Sequence, residues 1–151
     1  MSIFHNFPLL AALVSIITAQ IVKVPVYLVS NRTWKIGIGF STGGMPSSHS
    51  AAVSSLTAAI GFTEGLSSAV FAVAAVMSII TMYDAAGIRR HAGMHASILN
   101  RLVQSLPSSE NAAESRKELK EMLGHRPVEV IVGALYGIAV SLLLQFVFHL
   151  N

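Results

Sequence analysis

Four long apolar runs alternate with short polar stretches along the chain. The first covers residues 8–30 and carries Gln20, Lys23 and Pro25 in its last third. About 20 apolar residues cross a hydrocarbon core as a helix, so its length fits a span. A polar loop over 31–45 follows, with Arg32, Trp34 and Lys35; Trp34 suits an interfacial anchor. Pro46 then opens a helix to about Phe62 that is rich in alanine and serine. Small residues let helix backbones approach closely in lipid, so this short helix is expected among the others, its start below the membrane surface. Thr63-Glu64-Gly65 reads as a tight turn.

The third run, 66–83, continues without a breaker into Asp84-Ala85-Ala86-Gly87-Ile88-Arg89-Arg90. A helical apolar pattern persists over 91–103 through Met94, Ile98, Leu99 and Leu102. Residues 106–111 read as a loop and 112–123 as a charged amphipathic surface helix ended by Gly124. Pro127, a favoured first helical residue, opens the fourth run, in which Gly133 and Gly137 form a GxxxG pair. The pattern predicts an all-α, polytopic membrane bundle. It has about four transmembrane segments plus a cytoplasmic amphipathic helix, in a single domain over 1–151.

Composition agrees. The chain is 53% hydrophobic and 11% charged, with a mean hydropathy of +0.65; soluble domains are about 25% charged. Cysteine is missing, which removes disulfides and thiolate metal sites. The N-terminus lacks the basic region of a secretory signal and reads as a retained span. All ten lysines and arginines fall between 23 and 35 or between 89 and 126. Four spans with those connections inside satisfy the positive-inside rule, so both termini are expected outside and the basic loops in the cytoplasm. That topology gathers Lys23, 47–49, Arg89, Arg90 and His125 at one membrane face. Lys23 either snorkels to the interface or faces protein there.

The chemistry at that face is specific. Gly43-Gly44-Met45-Pro46-Ser47-Ser48-His49-Ser50 puts glycines and serines at a helix start, where free amides and the helix dipole favour an anion. His49 lies in the first turn of that helix, and His125 lies just before the fourth. Glu129, four residues after His125, shares its face and can hold one imidazole nitrogen while the other acts as base or nucleophile. Two histidines, a carboxylate and nearby cations (Lys23, Arg32, Lys35, Arg89, Arg90) supply what phosphoryl transfer without a metal requires. Singly, Ser47 and Ser48 read as a helix cap, and Asp84 with Arg89 as a salt bridge. His91 and His95 have metal-pair spacing but no third ligand, and are expected on a surface helix.

These motifs resemble the type 2 phosphatidic acid phosphatase superfamily, which includes vanadium-dependent haloperoxidases. They are most similar to its divergent branch of acid phosphatase/haloperoxidase-related integral membrane proteins. The superfamily's PSGH appears as Pro46-Ser47-Ser48-His49, and its nucleophile segment as His125-Arg126-Pro127-Val128-Glu129. The branch's GGMPSSHS, YDAAGVRR-like and LGHxPVEV stretches match residues 43–50, 83–90 and 123–130.

The resemblance implies a metal- and cofactor-independent hydrolysis of a lipid phosphate or diphosphate. His125 would be the nucleophile, His49 the general acid and Glu129 the orienting group. Ser47, the backbone near Ser48, and Lys23 would bind phosphate, with Arg32, Arg89 and Arg90 as the available guanidinium groups. The implied partners are the lipid substrate and the bilayer, with no nucleic acid and with room for a homo-oligomer. Three positions differ from the superfamily pattern: Ser30 replaces the first-motif arginine, Leu119 the third-motif arginine, and Ser48 a glycine. Losing one such arginine costs on the order of 10²–10³ in rate. The alternative is therefore a binding or scaffold protein that retains the bundle without turnover.

Overall fold

The computed structural model describes residues 6–33, 37, 43–105, 119 and 124–149. The expected loop at 106–111 and amphipathic helix at 112–123 lie outside them except for Leu119, as do His5, Trp34 and Lys35. Among the described residues every regular element is a helix: α1 (Phe7–Asn31), α2 (Ser48–Glu64), α3 (Ala69–Ala86), α4 (Ile88–Ser105) and α5 (Pro127–His149).

Side-chain caps fix three starts. Asn6 accepts the Leu9 N–H at 3.0 Å, Ser47 the Ser50 N–H at 3.3 Å and Ser68 the Phe71 N–H at 3.1 Å. Three stretches are long and apolar enough to cross a membrane: α1, the run from Ala69 to Ser105, and Pro127–Phe148. α2, with 17 residues, is shorter and serine-rich, and it forms the centre of the bundle against α1, α3 and α5.

Polarity explains that placement. Ser15 donates to the Ala51 carbonyl and Ser55 to the Ala11 carbonyl, both at 3.0 Å, tying α1 to α2. Ser54 donates to the Ala134 carbonyl of α5 at 2.9 Å. Ser78 of α3 donates to the Val53 carbonyl at 3.0 Å. Each of these hydroxyls reaches a carbonyl of a neighbouring helix, whereas leucine, valine and isoleucine face outward along α3 and α5, as they do where lipid is the solvent. Gly133 and Gly137 make the closest approach. A Cβ on Gly133 would lie under 3.0 Å from the Ser47 carbonyl oxygen, and one on Gly137 equally close to the Ala51 carbonyl and the Ser54 hydroxyl.

Two boundaries differ from the sequence pattern. The third run does not continue unbroken into its basic end. Gly87 takes a non-helical φ of −104° and ψ of −84°, separating α3 from α4, while its N–H still bonds the Tyr83 carbonyl at 2.9 Å. The expected turn at 63–65 shifts to 65–68, because α2 runs through Glu64; it opens on Gly65, whose φ of +84° suits a residue without a side chain.

Candidate active site

The C-terminal ends of α1 and α3 and the N-terminal ends of α2 and α5 meet at one end of the bundle. On α1, Ala11, Ser15, Ala19 and Lys23 are buried at four-residue intervals, so Lys23 ends a stripe of small residues pressed against the protein. Lys23 is 1% exposed, which rules out the snorkelling arrangement. It lies within electrostatic reach of the Glu129 carboxylate.

Backbone contacts fix the His125 turn. The His125 N–H donates to the Ala85 carbonyl in the last turn of α3 at 2.9 Å, satisfying a helix-end acceptor. Gly124, at φ +81°, lies against the Arg89–Arg90 backbone so closely that a Cβ there would clash. The YDAAGIRR and LGHRPVEV stretches are thus two sides of one contact. Glu129 then holds the turn from α5: its Oε2 lies 3.0 Å from His125 Nδ1 and accepts the Arg126 N–H at 3.1 Å. His125 is 2% exposed, and among the described residues its Nε2 has no hydrogen-bond partner.

The Ser47 N–H donates to the Glu129 carbonyl oxygen at 3.0 Å, which sets the start of α2 beside the start of α5. Two positive helix ends therefore converge. His49 is half-buried, with its ring centroid 6.1 Å from that of His125. It also lies within electrostatic reach of Arg89, Lys23 and Asp84.

Beside these groups lies a cavity of about 850 Å³. Lys23, Arg90, His125 and Glu129 line it, with Tyr27 and Asn31 of α1 and Met94 and Ser97 of α4. The other sequence-predicted residues lie outside its described lining. Ser47 and Ser48 are buried, and the Ser47 hydroxyl is engaged with Ser50 in capping α2. Arg89 forms its ion pair with Asp84. Arg32 is exposed and takes a left-handed conformation as the α1 C-cap, its N–H bonded to the Leu28 carbonyl. His91 and His95 are exposed on α4.

Sequence reasoning missed Tyr27 and Asn31, although they extend the four-residue stripe through Lys23. It also missed Asn100. That side chain holds both backbone groups of Leu119, donating to its carbonyl at 2.9 Å and accepting its N–H at 3.0 Å. Gly93, Ala96 and Asn100 form the buried face of α4, a small-residue spacing visible in the sequence.

Comparison with known proteins places the chain in a family. Residues 4–140 match the family model described as divergent PAP2 family. The chain is 45% identical over 157 residues to the uncharacterized membrane protein YuiD of Bacillus subtilis (strain 168), covering 98% of this chain and 99% of that one. No solved structure matches it. With a family match over most of its length and a relative 45% identical along nearly the whole chain, the protein belongs to the divergent PAP2 family.

Proposed function

We propose that this protein hydrolyses a lipid phosphate or diphosphate through a phosphohistidine, without a metal. The observation that carries the reading is the His125 environment: Nδ1 fixed by Glu129 at 3.0 Å, Nε2 buried without a partner, and His49 6.1 Å away ring to ring. Nε2 attacks phosphorus as the phosphorus–oxygen bond to the leaving group breaks, and His49 gives that oxygen its proton. His49 then takes a proton from water, which attacks phosphorus, breaks the phosphorus–nitrogen bond and releases phosphate. Lys23 and Arg90 neutralise the phosphoryl oxygens from the cavity wall, and Ser47 and Ser48 act at the positive end of α2. Arg89 and Arg32 contribute through their charge at the same face.

The test is transfer of labelled phosphate from phosphatidic acid or a prenyl diphosphate to purified protein. The expected product is an acid-labile, alkali-stable phosphoenzyme that is lost in His125→Ala, while His49→Ala slows turnover. Turnover unchanged in both variants would overturn the assignment.

A second reading, a lipid-phosphate binding protein without turnover, is favoured by position 119. The superfamily has an arginine there, whereas this chain has a leucine whose backbone is held by Asn100. Saturable lipid-phosphate binding with no phosphoenzyme would select it. We assign the site to the cytoplasmic face on the distribution of lysine and arginine. Single cysteines at Lys35 and Glu64 should label from opposite sides, Lys35 from the cytoplasm.

A further inference from the structure

α4 has three different sides. Gly93, Ala96 and Asn100 are buried, and Arg90, Met94 and Ser97 line the cavity. The remaining side is open and largely apolar: Ile88, Leu99, Leu102 and Val103 share it at helical spacing with the exposed His91 and His95, and Leu99 is 48% and Leu102 56% exposed. Among the described helices α4 packs only on α3. We propose that α4 lies along the membrane surface, its apolar side in the headgroup–acyl boundary of an anionic bilayer, and so forms the lipid-side wall of the cavity mouth.

Length supports this position. α3 has 18 residues, about 27 Å of helix, close to the roughly 30 Å of a hydrocarbon core. α3 therefore uses up the membrane thickness before Gly87, and α4 begins at the interface. Charge supports the choice of occupant. α4 has no acidic residue, and beside Arg89, paired with Asp84, and Arg90 in the cavity wall it carries Arg101, a basic composition like that of helices that lie on anionic lipid rather than crossing it. The cavity joins this helix to the site: Met94 and Ser97 of α4 and Val26 and Tyr27 of α1 line it together with the nearly buried Lys23 and His125. A phosphate on a lipid already in the leaflet reaches Arg90 by lateral movement. This inference deepens the lipid-phosphate reading by naming the route of entry, but the position of α4 does not require turnover.

The chain has no cysteine, so single cysteines report on α4 directly. Leu99→Cys, Leu102→Cys and Arg101→Cys are labelled with an environment-sensitive fluorophore. Each protein is placed in bilayers of phosphatidylcholine with phosphatidylglycerol, with or without doxyl-labelled lipid. At 99 and 102 the expected result is blue-shifted emission quenched severalfold more by doxyl lipid than at 101. Blue-shifted emission without lipid quenching means that protein covers this side, either residues of this chain or a second copy, and overturns the proposal. Water-like emission at 99 and 102 overturns it equally. In phosphatidylcholine alone the lipid quenching is expected to fall; equal quenching would remove the anionic-lipid part. Turnover is measured on unlabelled protein, so loss of the hydrolase reading and loss of the α4 position give separate results.

Discussion

Along the α2–α5 seam, glycines bring two backbones together and every described hydroxyl of α2 that reaches α5 ends on a carbonyl. Ser54 bonds the Ala134 carbonyl and the Ser50 carbonyl, at 2.9 and 2.7 Å. Toward the basic end a cavity opens beside α5, walled by α1, α4 and residues 43–45 and 124–126, and one polar atom there keeps bonding capacity in reserve. His125 Nε2 is buried without a described partner, beside Lys23 and Arg90. The seam thus uses its polarity for adhesion, whereas the cavity wall leaves the His125 Nε2 unmet. In hydrocarbon an unmet polar group costs several kcal/mol, so such a cavity persists only where a rigid neighbour holds it open. The seam is that neighbour: the Ser47 N–H bonds the Glu129 carbonyl where one passes into the other.

The most disruptive way to break this division is to force the seam apart. Gly137→Leu places a side chain where the Ala51 carbonyl and the Ser54 hydroxyl already stand. Neither helix backbone can yield alone, so the expected loss exceeds about 3 kcal/mol, the upper range for overpacking. Thermal unfolding in detergent should show little folded protein. Gly43→Ala is the control: a Cβ there meets the Gly124 carbonyl oxygen at 3.6 Å, an ordinary contact, and the midpoint should not move.

Glu129→Gln separates the two regions from the cavity side. The amide keeps the shape but no longer offers a charged acceptor to both His125 Nδ1 and the Arg126 N–H. Hydrolysis is expected to fall about 10²–10⁴-fold, the range for a misdirected acid–base group, with a small change in unfolding midpoint. If activity and midpoint fall together in proportion, Glu129 belongs functionally to the seam.

How far the sequence reveals each region follows from what encodes it. The seam was legible: Gly133, Gly137 and the serines of α2 are small residues at helical spacing in apolar runs, and such patterns are local. The His125–Glu129 pairing was legible for the same reason, because one helical turn separates the two residues. The arginine assignments were not, because which cation lines a cavity depends on how separate helices approach. Arg89 is held by Asp84 while Arg90, the next residue, reaches the cavity wall, and no local spacing distinguishes them. Gly87 was equally ambiguous. Apolar periodicity runs through it, and only the docking of the His125 turn on Ala85 shows why the helix must end there.

Asn100 offers a smaller effect on the cavity side. Asn100→Ala removes both hydrogen bonds to Leu119, worth about 1–2 kcal/mol together, while α4 keeps its own backbone bonds. Hydrogen exchange at the Leu119 amide should accelerate by roughly one order of magnitude, each 1.4 kcal/mol being tenfold. Exchange at α2 amides should stay unchanged, since Asn100 does not touch the seam.

The smallest effect tests whether hydroxyls or glycines hold the seam. Ser54→Ala deletes the bond to the Ala134 carbonyl but strands no donor, and membrane hydrogen bonds of this kind average about 0.6 kcal/mol. Its own midpoint shift should therefore be slight. Its value lies in combination with Gly137→Ala, whose new Cβ would meet both the Ser54 hydroxyl and the Ala51 carbonyl. Removing the hydroxyl relieves only one of those two clashes. The double variant should be more stable than the sum of the single losses, yet well below wild type, because the backbone clash with Ala51 remains. Full rescue would mean that the Ser54 side chain sets the helix separation. Strict additivity would mean that the backbones set it alone.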